Sequence, residues 1–186
     1  MERRDFLHTI TGALALCVTR GAGAANAALT PQALEETRRQ WQALLPKGKA
    51  VPQPTEVLTR SRDEWRRALS PAAYDVLREE GTERPFSSPL NDEKRPGVFA
   101  CAGCGLPLFS SAMKFDSGTG WPSFVTSIPG HLAQKRDFKM ILPRTEYHCV
   151  RCGGHQGHVF DDGPPPNGER WCNNGLALEF LPTRMA

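Results

Sequence analysis

The sequence has no long hydrophobic run, no dominant charge of one sign, and few cysteines and tyrosines. Its most apolar early stretch, residues 9–18, is interrupted by Gly and Thr and falls well short of the roughly 20 apolar residues that a membrane span needs. Lys and Arg number 23 against 20 Asp and Glu, for a net charge of +3, a balance that calls for neither nucleic acid nor an anionic surface as partner. Low-complexity runs are missing too, apart from Pro164-Pro165-Pro166, which reads as a rigid turn. What remains, 186 residues with 39% hydrophobic and 23% charged, suits one soluble domain with a short extension.

Scarcity makes the six cysteines informative. Cys101-Ala-Gly-Cys104 and Cys149-Val-Arg-Cys152 are two tight pairs, each followed by glycine, at Gly105 and Gly153. Three chemistries compete for such pairs: one tetrahedral zinc site, disulfides, or a redox-active dithiol. Doubling of the pair and the following glycines favour zinc, held between two distant parts of the chain. A thioredoxin-like motif would come once, near a strand-helix-strand pattern, and none is evident. Cys172, in Arg170-Trp-Cys-Asn-Asn174, is then left free for chemistry.

The sixth cysteine, Cys17, falls in a segment with the marks of an export leader. Glu2-Arg3-Arg4-Asp5-Phe6-Leu7 opens it, a modestly apolar stretch follows, and Ala25-Asn26-Ala27 fits an A-x-A cleavage site. Residues 1–27 are expected to be a twin-arginine-type signal and the mature protein to be periplasmic; an amphipathic N-terminal helix is the competing interpretation. The mature chain is not expected to insert stably in a membrane.

Residues 28–58 are expected to form a helix and linker. Thr30-Pro31 pairs a capping residue with proline at the first helical position, Leu34, Trp41 and Leu45 give a thin apolar stripe, and Pro52 and Pro54 mark the linker. Within residues 59–186, Ser61-x-x-Glu64 is a capping box leading into Trp65 and Leu69. Ser70-Pro71 restarts a helix with Tyr74 and Leu77 on its buried face, and Gly81 suits its end. Beyond Pro85 short strands are expected at Val98-Phe99, Phe138–Leu142, Glu146–Val150, Val159-Phe160 and through Leu176, Leu178 and Phe180. The fold class is mainly β, an antiparallel structure with short N-terminal helices.

A thiol with an ordinary pKa of about 8.5 is only slightly ionised at neutral pH, so an attacking Cys172 needs help. Arg170, two residues back, faces the same side if the segment is a strand and favours the thiolate by charge; a solvated surface arginine is the alternative. His155-Gln-Gly-His158 offers two histidines for proton transfer, since four cysteines already fill a tetrahedral metal site. Trp121, between Gly120 and Pro122, is placed to wall a pocket for a methyl group.

In combination, the two knuckles, Thr82-Glu83, Leu108-Phe109, Gly120-Trp-Pro-Ser-Phe124, His155-x-Gly-His-Val-Phe160, Gly168-Glu-Arg170 and Cys172-x-Asn174 resemble the type B peptide-methionine (R)-S-oxide reductases, from about residue 59 to 182. The resemblance implies two antiparallel sheets in a tent-like arrangement around a structural zinc at Cys101, Cys104, Cys149 and Cys152. It implies Cys172 as nucleophile, His155, His158 and Asn174 around the sulfoxide oxygen, Arg170 beside the nucleophile, and Trp121 against the substrate methyl. The implied partners are oxidised methionine in proteins or peptides and a reducing thiol. Many members carry a recycling cysteine where this chain has Thr119, so an external thiol, such as a thioredoxin-like protein, is expected to resolve the sulfenic acid. Asn173 and Gly175 also depart from the family's aliphatic residue and serine, and Asn173 either points away from the pocket or alters its hydration. Two other classes compete: a zinc-stabilised sheet module that only binds a ligand, which Cys172 with both histidines argues against, and a Cys-His acyl-transfer enzyme, for which no oxyanion hole is evident.

Overall fold

The computed structural model describes residues 30–137 and 143–183. Both the leader expected at residues 1–27 and the strand expected at 138–142 lie outside the described residues.

The helices begin where capping chemistry predicts. Thr30, Ser61 and Ser70 each accept a backbone N–H in the first turn of α1 (Pro31–Arg39), α2 (Arg62–Ala68) and α3 (Pro71–Glu79), and Ser61 with Glu64 forms a full capping box. Two helical expectations need correction. Trp41 belongs to a separate 3-10 turn, Trp41–Leu44, and not to α1; there its ring packs edge-on against His131 at 5.6 Å. The left-handed residue that ends α3 is Glu80, at φ 58°, and not Gly81.

Nine strands follow among the described residues: β1 (Gly97–Cys101), β2 (Pro107–Ser110), β3 (Lys114–Phe115), β4 (Ser123–Phe124), β5 (Leu132–Asp137), β6 (Arg144–Cys149), β7 (His155–Phe160), β8 (Arg170–Asn173) and β9 (Leu178–Pro182). They form two antiparallel sheets, β2-β1-β9 and β3-β4-β8-β7-β6-β5. Leu176 is not part of β9 but of a 3-10 turn, Gly175–Ala177, so the buried positions of the last strand are Leu178 and Leu181.

The core fills the space between the sheets. Phe99 and Phe109 from the small sheet meet Phe124 of the large one, with Phe109 and Phe124 stacked at 4.0 Å and Phe99 edge-on to Phe124 at 5.1 Å. Tyr147 and Trp171 continue that layer at 5.0 Å from each other. Burial of these rings fixes the inner face of β6 and β8, and by alternation the residues between them face outward. Cys172, between Trp171 and Asn173, is one of those.

Candidate active site and metal centre

Cys172 lies on β8, with Ser123 of β4 opposite it on one side and His158 of β7 on the other. A cavity of about 110 Å³ opens over it, lined by Thr82, Trp121, Arg144, His158, Phe160 and Asn174 among others. Arg170 is on the same strand two residues away, as expected, but it is not a free surface cation. It is 6% exposed, gripped by Asp162 through Nε at 2.8 Å and Nη2 at 2.9 Å, and its guanidinium lies 4.4 Å from the Phe160 ring. Burial pushes the Cys172 thiol above its ordinary value, while Arg170 pulls it down by charge and hydrogen bonding.

His155 and His158 are three residues apart, a spacing that places residues on opposite faces of a regular strand. The structure brings them together nonetheless. His158 pairs with Glu146 and Gly157 with Tyr147, but His148 pairs with His155, so Gln156 is an extra residue in β7. This β-bulge shifts the alternation by one, and the two imidazoles come to 5.5 Å. Only His158 lines the cavity. His155 is buried behind it, with Nδ1 2.8 Å from Glu146 Oε1 and Nε2 without a partner among the described residues.

His158 is held by a carboxylate that nothing in the sequence singles out. Asp137, 5% exposed at the end of β5, receives His158 Nε2 at 2.9 Å and Arg144 Nη2 at 2.7 Å on the same oxygen, Oδ2. Burial lowers the His158 pKa, the Asp137 hydrogen bond opposes this, and Arg144 and His155 add to the lowering. No local signal could have found Asp137, because it reaches His158 only through the pairing of β5 with β6 and of β6 with β7.

Trp121 lines the cavity and donates from Nε1 to the Glu83 carbonyl at 3.2 Å. Asn174 lines it too, although its side chain is committed: Oδ1 accepts from the Glu83 N–H at 3.1 Å and Nδ2 donates to the Gln156 carbonyl at 3.0 Å. Glu83 also accepts from the amides of Gly175 and Leu176, which fixes the turn that follows Cys172. Asn173 resolves to one of its two alternatives. Its side chain turns into the core, accepting from Tyr147 Oη at 3.0 Å and donating to the Asn174 carbonyl at 2.8 Å. Thr119 sits in the loop before Trp121, its hydroxyl 2.9 Å from that of Ser117.

The four other thiols among the described residues form a separate cluster. Cys101 and Cys149 end β1 and β6, and each knuckle closes by an N–H of the following glycine, Gly105 or Gly153, onto the carbonyl of its first cysteine. Cys101 Sγ is 3.7 Å from Cys152 Sγ, Cys104 Sγ is 3.5 Å from Cys149 Sγ, and all four lie within 4.8 Å of one another as free thiols. Tetrahedral zinc with Zn–S bonds of about 2.3 Å separates its sulfurs by roughly 3.8 Å, whereas a disulfide joins two at about 2.05 Å. The dimensions fit one structural zinc ion and no disulfide. Gln156, the bulge residue, donates from Nε2 to Cys101 Sγ at 3.3 Å, so the residue that re-aims the histidines also braces the metal centre.

The SelR domain model matches residues 69–182, a span that contains every one of these side chains. The chain belongs to the SelR, or MsrB, family. Over 124 residues it is 51% identical to a peptide methionine sulfoxide reductase MsrB of Bradyrhizobium diazoefficiens, covering 66% of this chain and 89% of that protein. Proteins of the same name from Leifsonia xyli and Methanosarcina barkeri are 50% identical over 127 residues and 49% identical over 126. Those alignments cover 67% of this chain in both cases, and 91% and 89% of the relatives. The SelR match leaves out α1, the linker and α2, so the N-terminal elements that pack on the domain are additions to what the family model describes.

Proposed function

We propose that the protein is a thiol-dependent oxidoreductase that reduces protein-bound methionine (R)-sulfoxide to methionine, a repair function under oxidative stress. The observation that carries this is a lone thiol, Cys172, in a small cavity with an aromatic wall, Trp121, and a carboxylate-held histidine, His158, within a chain of the MsrB family. In this mechanism the Cys172 thiolate attacks the sulfoxide sulfur, and His158 delivers a proton to the oxygen as its bond to sulfur breaks. The transient bond between the two sulfurs then breaks as the hydroxyl passes to the Cys172 sulfur, which becomes a sulfenic acid, and methionine leaves with two more electrons. Arg170 favours the thiolate, Trp121 packs the substrate methyl, Asn174 shapes the polar side of the cavity, His155 backs His158, and the zinc ion supplies rigidity and no step of the chemistry.

Among the described residues the only other cysteines are those of the metal cluster, so the sulfenic acid is resolved from outside. One external thiol displaces water to form a mixed disulfide with Cys172, and a second thiol releases the cysteine; a thioredoxin-like protein offers both. Residues 1–27 support export by a twin-arginine route, with the paired arginines, Phe6-Leu7 and Ala25-Asn26-Ala27 as grounds. N-terminal sequencing of the periplasmic protein is expected to start at residue 28, and a cytoplasmic, uncleaved chain would overturn that part. Among the described residues no helix is long and apolar enough to cross a membrane.

The decisive assay uses separated R and S epimers of a methionine sulfoxide peptide, with dithiothreitol as reductant and Cys172→Ser as control. Turnover of the R epimer alone, lost in the variant, is expected. No turnover by zinc-loaded protein would leave a ligand-binding module instead.

A further inference from the structure

The cavity over Cys172 is small, about 110 Å³, so it takes a side chain, and a polypeptide carrying that side chain has to lie across its rim. Phe86, 72% exposed, does not line the cavity itself but packs against Gly120, the residue before the lining Trp121. The Phe86 backbone is left-handed, φ 61°, a conformation that residues other than glycine adopt rarely and keep only where their surroundings enforce it. Here the surroundings do. The Phe86 N–H donates to the Gly120 carbonyl at 2.7 Å, the same oxygen accepts from Asn91 Nδ2 at 2.9 Å, and Trp121 Nε1 closes the other end on the Glu83 carbonyl at 3.2 Å. Segment 83–86 is thus tied twice to Gly120-Trp121.

Gly120 is what permits the close approach. A Cβ there would lie 2.8 Å from the Phe86 nitrogen and 2.9 Å from its ring carbon Cδ2, both tighter than atoms tolerate. The Phe86 ring therefore sits against the backbone next to Trp121, which, like Thr82, lines the cavity. An aromatic ring left in water adds little to the core, and holding it in an unfavourable backbone conformation costs stability. Both features make sense when an apolar group covers the ring in use.

We propose that Phe86 is a specificity-determining residue: its ring is an apolar ledge for the side chain adjacent to the methionine sulfoxide in an extended polypeptide substrate. This rests on the reductase function proposed above. The substrate class is accordingly unfolded or peptide-like protein in which an apolar residue neighbours the oxidised methionine.

The test compares kcat/KM for N-acetyl-methionine (R)-sulfoxide and for two peptides carrying the same sulfoxide, flanked by leucine or by serine. Phe86→Gly removes the ring while tolerating the left-handed backbone, and Phe86→Tyr retains it. The wild-type protein and Phe86→Tyr are expected to prefer the leucine-flanked peptide. Phe86→Gly is expected to lose about 3- to 10-fold on that peptide, through KM, with the acetylated amino acid unaffected. An unchanged flank preference in Phe86→Gly, or an equal loss on all three substrates, would overturn the ledge while leaving the activity intact. Failure of the wild-type protein to turn over any of the three substrates would overturn the activity itself.

Discussion

At Cys172 two opposing influences meet. Removal from water disfavours the thiolate, and the buried Arg170 beside it favours the thiolate. Asp162 keeps that arginine in place but also adds negative charge, which again raises the thiol's pKa. The same opposition governs His158, where burial favours the neutral ring and Asp137 favours the imidazolium. Asp137→Asn keeps the shape of the side chain and removes the charge. Arg144 and His155, the other ionisable groups acting on His158, both lower its pKa, so nothing compensates. With the imidazolium as the proposed proton donor, activity falls as pH rises through the His158 pKa, and the variant should lose activity at lower pH than the wild type does. The measurement is a pH profile of kcat on the R epimer. On the alkaline side, activity is expected to fall about tenfold for every pH unit by which that limb moves toward acid, with KM little changed. An unmoved alkaline limb would mean that Asp137 only packs.

Among the elements, β7 and β8 decide whether the site exists. Gly157 of β7 pairs with Asn173, and a Cβ at 157 would fall on the Cys172 carbonyl oxygen. Gly157→Ala therefore has to push apart the strands that carry His158 and Cys172. It is expected to retain zinc and fold, since the knuckles lie outside this pair, but to lose at least about 100-fold in kcat, the lower range for misplacing a proton donor. Near-normal turnover by a folded Gly157→Ala protein would show that the two strands need not be this close. The bulge at Gln156 also marks the boundary of what could be read from the sequence. Capping residues made the helix starts legible, and paired cysteines made the metal centre legible, because both are local signals. His155 and His158 were expected to serve proton transfer together, yet a regular strand would put them on opposite faces; the extra residue that unites them depends on pairing with β6, which no spacing reveals. Strands β2, β3, β4 and β5 escaped notice for a related reason, being short and stabilised by their neighbours more than by their own composition. Asp137 and Glu146 went unseen as parts of the site, and Glu83 was noted only within a motif and without a role, since carboxylates in a charged surface pattern look alike until tertiary contacts bury some of them.

For the molecule as a whole, the thiol cluster joins the two sheets. Cys101 ends a strand of the small sheet and Cys149 a strand of the large one, so one ion clamps layers that otherwise touch through the aromatic core. The clamp reaches the helices too: Arg78 of α3 donates to the Cys152 carbonyl at 2.8 Å, and Arg151 donates to the Cys104 carbonyl at 3.0 Å, across the two knuckles. From Cys101 the line continues through Gln156 to Asn173, next to Cys172, by hydrogen bonds of 3.3 Å each. Metal loss should therefore be felt first as stability and then as activity. One zinc per chain is expected by elemental analysis, with four thiols becoming reactive on its removal. Stripped under reducing conditions, the protein is expected to lose about 3 kcal/mol or more, a fall in Tm on the order of 10 °C. Calorimetry on matched zinc-loaded and zinc-free samples checks this. Equal melting temperatures would show that the aromatic layer between the sheets holds them without the ion, and would leave the four thiols as a metal site with no structural duty.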